Sequence, residues 1–564
     1  ENEAATNVLL LARALFRDGK FDAALEALSR LEKNYDDEAV RAESLFLKAE
    51  ISYALGKFPQ ALQLYARLVR KYKNHPKVFE AELGIGWTYF ELKQYARAAD
   101  NFRKILRQYK KSPQQAKALI ALGGCQYNLR DLDGAIASYR RVLKAFATEK
   151  TEANEAQYQI AWLQFRRGKF AEAARVFAVY TAQGESTARI AEALYFGGLS
   201  KFQAADYSGA ERDLAAVYAR SDVPAWLREK SLLDLAKTRT ALKHHSAARD
   251  NYRQLVKDFP ETQSRDEAEY QIIVTSLRLS DENAGRESLA AFRKRNRASP
   301  WFAEAVNELA DFYRRKKNFA ESDAALSELG SLRKKPAEKL EVLTTRAGLY
   351  HEQARDKEAI RLIETVLQSE DVSEATAIRA STLLFQILER AQEFKKGSVW
   401  ANKLATRFAD NGRLGEEMQL AQAHFLILQK NSAAGRDILL PLSKSRLVSG
   451  RAKFMLAETY FAEGDHTRAL DYFRQITQKQ DAASWLKARF LIGEILFARQ
   501  EYEEAAREYS RIAYAETRDD SVYERALYRA ALSFRGIKKE KEFDTFKTKL
   551  KEAFPQSKYL RELE

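Results

Sequence analysis

Residues 84–107 read GIGWTYFELKQYARAADNFRKILR, and the order of small and large side chains in that stretch decides the fold. Gly86 stands nine residues before Tyr95, and Ala98 and Phe102 stand three and seven residues after it. The polar pair Lys93-Gln94 reads as a corner between two helices. The four-residue spacing of Ala98 and Phe102 puts both on one face of the second helix. The same arrangement returns fifteen times, at steps of 34 to 38 residues that are mostly 37 or 38. The turn slot runs Phe21, Phe58, Tyr95, Leu132, Phe170, Tyr207, His245, Asn283, Phe319, Asp356, Phe394, Ser432, His466, Tyr502 and Glu540. Nine residues ahead of it stands Ala or Gly, from Ala12, Ala49 and Gly86 to Gly493 and Ala531, and only Val274 and Phe385 break that series.

Physically, each unit is a pair of antiparallel helices, with a small residue where the two backbones approach and a large one filling the gap to the next pair. One hairpin cannot bury both apolar faces, so the units must stack. The small residue of the first helix, the Tyr three later (Tyr89, Tyr313, Tyr350, Tyr460), and the Ala and aromatic of the second helix resemble the tetratricopeptide repeat family. The resemblance covers essentially the whole chain and departs from the family's period of about 34 residues. It implies an all-α, right-handed superhelical solenoid of about fifteen helix-turn-helix repeats with a period near 37.

Composition agrees: of 564 residues 46% are hydrophobic and 31% charged, with nine Pro and 23 Gly, a balance suited to amphipathic helices and unlike that of disordered chains. Pro76, Pro113, Pro260, Pro300 and Pro336 fall between repeats, where a missing N–H harms nothing. The register weakens around 281–300 and again from Phe385 through Gly450, where Pro441 enters an expected helix and the step falls to 34. We therefore expect three segments: 1–265 (repeats 1–7), 266–450 (an irregular central array, repeats 8–12) and 451–564 (repeats 13–15). No apolar stretch approaches the roughly 20 residues that cross a bilayer. The chain begins at Glu1 rather than Met, and a preceding segment, since removed, is expected. Cys125 is the single cysteine, which excludes an internal disulfide and reads as a small buried hydrophobe.

No catalytic constellation stands out. The six His form no His-Glu-x-x-His pair and no Cys/His cluster, and Gly-Lys pairs such as Gly168-Lys169 lack the flanking residues of a phosphate loop. We expect no enzyme activity, no metal and no cofactor. Two residue series keep the repeat and are candidate surfaces. One is an aromatic ladder on the first helices, Phe16, Tyr53, Phe90, Tyr127, Phe165 and Phe202, with Trp87 and Trp162 nearby. It is read either as the lining of a groove for a peptide or helix, or as packing between repeats. The other is a basic stripe at the ends of the second helices: Arg67, Lys104 and Arg141, and Arg70, Arg107 and Lys144. Residues 41–150 hold 21 Lys/Arg against nine Asp/Glu, within a chain whose formal net charge is +15. Cations there offset helix dipoles, but three to five per helix exceed that need and point to an acidic partner.

The inter-repeat wording Phe259-Pro260-Glu261-Thr262 and Phe554-Pro555-Gln556-Ser557 resembles bacterial envelope members of the family. The resemblance implies a periplasmic scaffold in an outer-membrane, cell-wall or motility assembly. Expected partners are proteins in a multi-protein complex, with anionic lipid or polymer as further contacts and nucleic acid disfavoured. The alternatives are a cytoplasmic location, a nucleic-acid-binding helical repeat, and an accessory domain of a larger enzyme or export system.

Overall fold

The computed structural model describes residues 2–110, 114–182, 188–479, 481–516 and 518–564. Pro113 lies outside the described residues. Among those described, every regular element is helical: thirty helices pair into fifteen hairpins, followed by a short helix at Tyr559–Glu562. Within each hairpin we call the first helix A and the second helix B. Fourteen of the fifteen turn slots are the first residue of a helix B. The exception is repeat 8, whose helix B starts at Glu282 rather than Asn283. That shift makes the steps on either side 37 residues each, and helices Arg265–Arg278 and Glu282–Asn296 are full length, so the weak register around 281–300 does not shorten the eighth repeat.

Two residues before each helix B the chain passes through the left-handed region. Gly fills this position four times, as at Gly56 (φ 72°), and eleven other residues fill it elsewhere, as Lys93 does (φ 57°). The cost of a non-glycine residue there, about 1–3 kcal/mol, is offset by closing the helix end: Lys93 N–H donates to the Phe90 carbonyl and Gln94 N–H to that of Tyr89, both at 2.8 Å.

The small positions explain the packing. A Cβ on Gly86 would lie 2.5 Å from the ring of Phe102, and one on Gly493 equally close to Tyr509; both rings are fully buried. The same ring slot reaches the next repeat, since a Cβ on Gly84 would lie 2.6 Å from Tyr65. Where helix A breaks the small series, helix B compensates. Ile273 takes the small position in the corrected register of repeat 8, and Gly285, three residues into helix B, makes room for Leu277, whose side chain would lie 2.9 Å from a Cβ there. In repeat 11 Gly397 makes room for the ring of Phe425 on the next A helix, which packs on Phe385 at 5.4 Å, and Ala401 stands where other repeats carry the large ring.

Contacts divide the chain into two compact units, Glu1–Ala305 and Val306–Glu564, the division falling inside helix Pro300–Arg315. In unit 1, successive A helices touch one another from Asn2–Arg17 to Ala225–Ala241, and no pair of B helices meets to a like extent among the described residues. Unit 2 repeats this from Pro336–Glu352 to Asp520–Gly536. The A helices therefore form the inner layer of each unit and the B helices the outer one. Ion pairs such as Arg379–Glu341 (2.9 Å) and Arg451–Glu417 tie consecutive A helices together. Helix B shortens to eleven residues at Ser432–Leu442, where Pro441 enters the last turn, and to nine at His466–Arg474, against fourteen in repeats 2–4. No helix among the described residues is long and apolar enough to cross a membrane.

Candidate docking surface

The outer layer of unit 1 carries the basic stripe. Helices Phe58–Lys71, Tyr95–Gln108 and Leu132–Ala145 bury the same three positions, Ala61/Tyr65/Leu68, Ala98/Phe102/Ile105 and Ala135/Tyr139/Val142. Residues two places beyond a buried position point the opposite way on a helix. Arg67, Arg70, Lys104, Arg107, Arg141 and Lys144 occupy those places, and all six are exposed.

They are not equivalent. Lys104 Nζ pairs at 3.1 Å with Glu82, whose carboxylate is buried beneath it. Burial, together with that same carboxylate, pushes the neighbouring Tyr109 hydroxyl up to about 12. Arg67, Arg70, Arg107, Arg141 and Lys144 have no ion-pair or hydrogen-bond partner for their side chains among the described residues. In the central basic clusters some side chains are engaged, while those of Lys294, Arg315, Lys317 and Lys334 are exposed with no ion pair or hydrogen bond among the described residues. Arg295 binds Asp266 and, at 2.8 Å, Glu269; Arg293 lies over the Phe302 ring; Arg314 pairs with Glu352 at 3.1 Å. What sets repeats 2–4 apart is alignment: five unpartnered cations recur on three consecutive B helices.

At its C-terminal end the stripe runs into a cleft of about 460 Å³ between helix Leu132–Ala145 and helix Phe170–Thr181. Arg141 and Lys144 form part of its wall, with Lys169 at the next corner and Gln164 inside. The two acids of the cleft are engaged, Asp133 by Arg167 at 2.7 Å and Glu172 by Arg140 at 2.9 Å. Sequence reading did not find this cleft.

The aromatic ladder sits on the A helices beside the hairpin corners. Phe16, Tyr53, Phe90, Phe165 and Phe202 each pack on the first ring of their own helix B, with centroid separations of 5.9, 5.5, 5.2, 5.8 and 5.3 Å. None is fully buried. They also lean on the following repeat: Tyr53 OH donates to Glu91 at 3.5 Å, and Phe165 lies 5.5 Å from Phe196. Tyr127, opposite Leu132 instead of a ring, remains exposed, as does Trp87. Trp162 is half-buried against Phe196 at 4.8 Å. Five of the six rings thus staple hairpins, and Tyr127 and Trp87 offer open aromatic surface.

A larger concavity, about 1110 Å³, opens in unit 2 beside the two shortened B helices; Pro441, Lys444, Lys453, Tyr460 and Tyr472 line it, and the two tyrosine rings stack at 5.9 Å. Among the described residues no group of three His, Cys, Asp or Glu side chains could hold a metal.

A tetratricopeptide repeat model matches residues 9–76, 83–150 and 420–484, and a second tetratricopeptide repeat model matches 155–183 and 230–262. No curated protein matches the chain. Among solved structures, MamA from Desulfovibrio magneticus RS-1 is similar at 20% identity over 31% of this chain and 92% of that one, with a TM-score of 0.26. A tetratricopeptide repeat protein from Parabacteroides merdae aligns at 15% identity over 48% and 99%, with a TM-score of 0.32. YrrB, described as a TPR protein with an unusual peptide-binding site, aligns at 21% identity over 36% and 96%, with a TM-score of 0.27.

Proposed function

Because this chain is an array of tetratricopeptide repeats, we propose that it works without catalysis of its own, as a scaffold holding other proteins, and that an acidic partner docks on the stripe of unit 1. One observation carries this reading: five exposed cations on three consecutive B helices have no internal partner. Compensating a helix dipole takes one or two charges in the last turn. Arg70, Arg107 and Lys144 stand in the last turn, whereas Arg67 and Arg141 stand before it, and these raise the local potential toward anionic surfaces and speed their encounter. Tyr127 and Trp87 on the inner layer supply apolar contact for the same or a second partner.

The Phe-Pro-x-Ser/Thr wording of the inter-repeat loops supports a place in a bacterial envelope assembly of the outer membrane, cell wall or motility machinery, and a periplasmic location. We keep the segments 1–265, 266–450 and 451–564 as a proposal drawn from repeat regularity.

Crosslinking in intact cells followed by mass spectrometry tests the docking surface. Acid-to-lysine crosslinks from a partner protein should map to Lys104 and Lys144. The fourfold variant Arg67→Glu, Arg70→Glu, Arg107→Glu and Arg141→Glu should abolish them without changing the helical signal. Crosslinks that persist in that variant overturn the proposal. Release of the protein by osmotic shock supports the periplasmic assignment, and retention with cytosolic markers removes it.

A further inference from the structure

We infer that the cleft between the B helices of repeats 4 and 5 receives an extended acidic peptide segment, holding a side-chain carboxylate with Arg141, Lys144 and Lys169 and the peptide backbone with Gln164. This rests on the stripe being a docking surface and specifies what the ligand must present at one end of it. The observation is a buried amide left without its partner. In repeat 4, Gln126 is satisfied: Ser138 Oγ donates to its Oε1 at 2.6 Å, and its Nε2 faces Asp131 at 3.5 Å. Thirty-eight residues on, the same positions are Gln164, Val176 and Lys169. Valine has no hydroxyl and lysine no acceptor. Gln164 is only 2% exposed, lines the cleft, and its Oε1 has no hydrogen-bond partner.

That acceptor narrows the ligand class. An inorganic anion or a phosphodiester offers acceptors alone; it would satisfy the three cations and leave Gln164 Oε1 as it is. A peptide offers an N–H and a carbonyl side by side, matching the two ends of a carboxamide, and an acidic side chain brings the charge. The cations are free to meet it, because Arg140 and Arg167 already hold the acids of the cleft. The volume, about 460 Å³, lies within the ordinary range of ligand sites. The cleft opens between two B helices, and Gln164 reaches it from the A helix Lys150–Arg166, which also carries Phe165 of the aromatic ladder.

The test uses the full chain and two fluorescein-labelled probes titrated by anisotropy, hexaglutamate amide and an oligo(acrylic acid) of matching charge. The second has carboxylates and no peptide amide. Gln164→Leu should weaken hexaglutamate about tenfold, the worth of a buried hydrogen bond, and leave the acrylate unchanged. Val176→Ser, which restores to Gln164 the donor that Ser138 gives Gln126, should likewise weaken hexaglutamate and serves where the leucine variant fails to fold. Arg141→Ala with Lys144→Ala should weaken both probes. If both glutamine-directed variants bind hexaglutamate as the parent does, or lose both probes equally, the cleft inference is wrong while the stripe reading stands. A parent chain that binds neither probe takes both readings down together.

Discussion

At the scale of single residues, packing here is decided by where a Cβ fits. Gly86 and Gly348 both lie inside A helices, yet a Cβ on Gly86 would press on Phe102 at 2.5 Å and one on Gly348 would meet nothing within 4 Å. Gly86→Ala should therefore destabilise by about 1–3 kcal/mol through overpacking. Gly348→Ala should stabilise by up to about 1 kcal/mol through helix propensity. Urea unfolding followed by circular dichroism compares them; equal effects would mean that the ring of Phe102 yields. Cys125 makes a second case. It is fully buried, and burial raises its thiol to about 12 against a smaller opposing pull from Arg103. A raised thiol stays protonated throughout the neutral range, and the thiolate is the reactive form. At pH 8 Ellman's reagent should leave Cys125 unmodified in the folded chain and react at once in guanidinium. The glycine and cysteine environments were legible in the sequence because helical period fixes which side chains face inward. The state of Gln164 was not, because an orphaned amide shows only when its repeat is laid beside the one in which Ser138 and Asp131 do the satisfying.

At the scale of helices, the register read from residues 84–107 located the start of helix B in every repeat but the eighth, which alone lacks both an aromatic at the corner and a small residue nine places before it. Periodicity found helix faces, and so it found the exposure of the stripe. It could not find pairing, because Glu82, which holds Lys104, lies on the helix before it, 22 residues away. The same limit applied to the ladder. Its spacing was visible, but the packing of Phe90 on Tyr95 at 5.2 Å depends on the angle of the corner between them. Helix length carries its own consequence. A helix of nine residues such as His466–Arg474 has few internal hydrogen bonds beyond its frayed ends, and the concavity beside it removes neighbours from one side. Its amides and those of Ser432–Leu442 should exchange with deuterium faster than those of Tyr95–Gln108. Hydrogen exchange read by mass spectrometry checks this, and equal protection would mean that the shortened helices are held by contacts stronger than their lengths imply.

At the scale of the molecule, stability is a sum of neighbouring contacts. Each described hairpin packs chiefly on those beside it in sequence, and the buried residues fall into separate clusters, among them one centred on Phe102 and Tyr139 and another on Phe473 and Tyr509. In such a stack a break at one interface need not propagate, and cooperativity is lost over long arrays. The contacts also fall into two units, each with more than enough chain to unfold as a block of its own. If all 564 residues unfolded together, the urea dependence would be several times the roughly 1–3 kcal/mol/M of a small protein, since it scales with the surface exposed. We expect instead an apparent value inside that small-protein range, and a calorimetric enthalpy well above the van't Hoff enthalpy. The separation should widen in Gly86→Ala, whose damage is confined to one hairpin and its neighbours and should shift the earliest part of the transition while leaving the last part in place. A single transition with equal enthalpies, moved as a whole by that substitution, would show that the array transmits strain along its length, and a partner held on the stripe would then stabilise every repeat and not only those it touches.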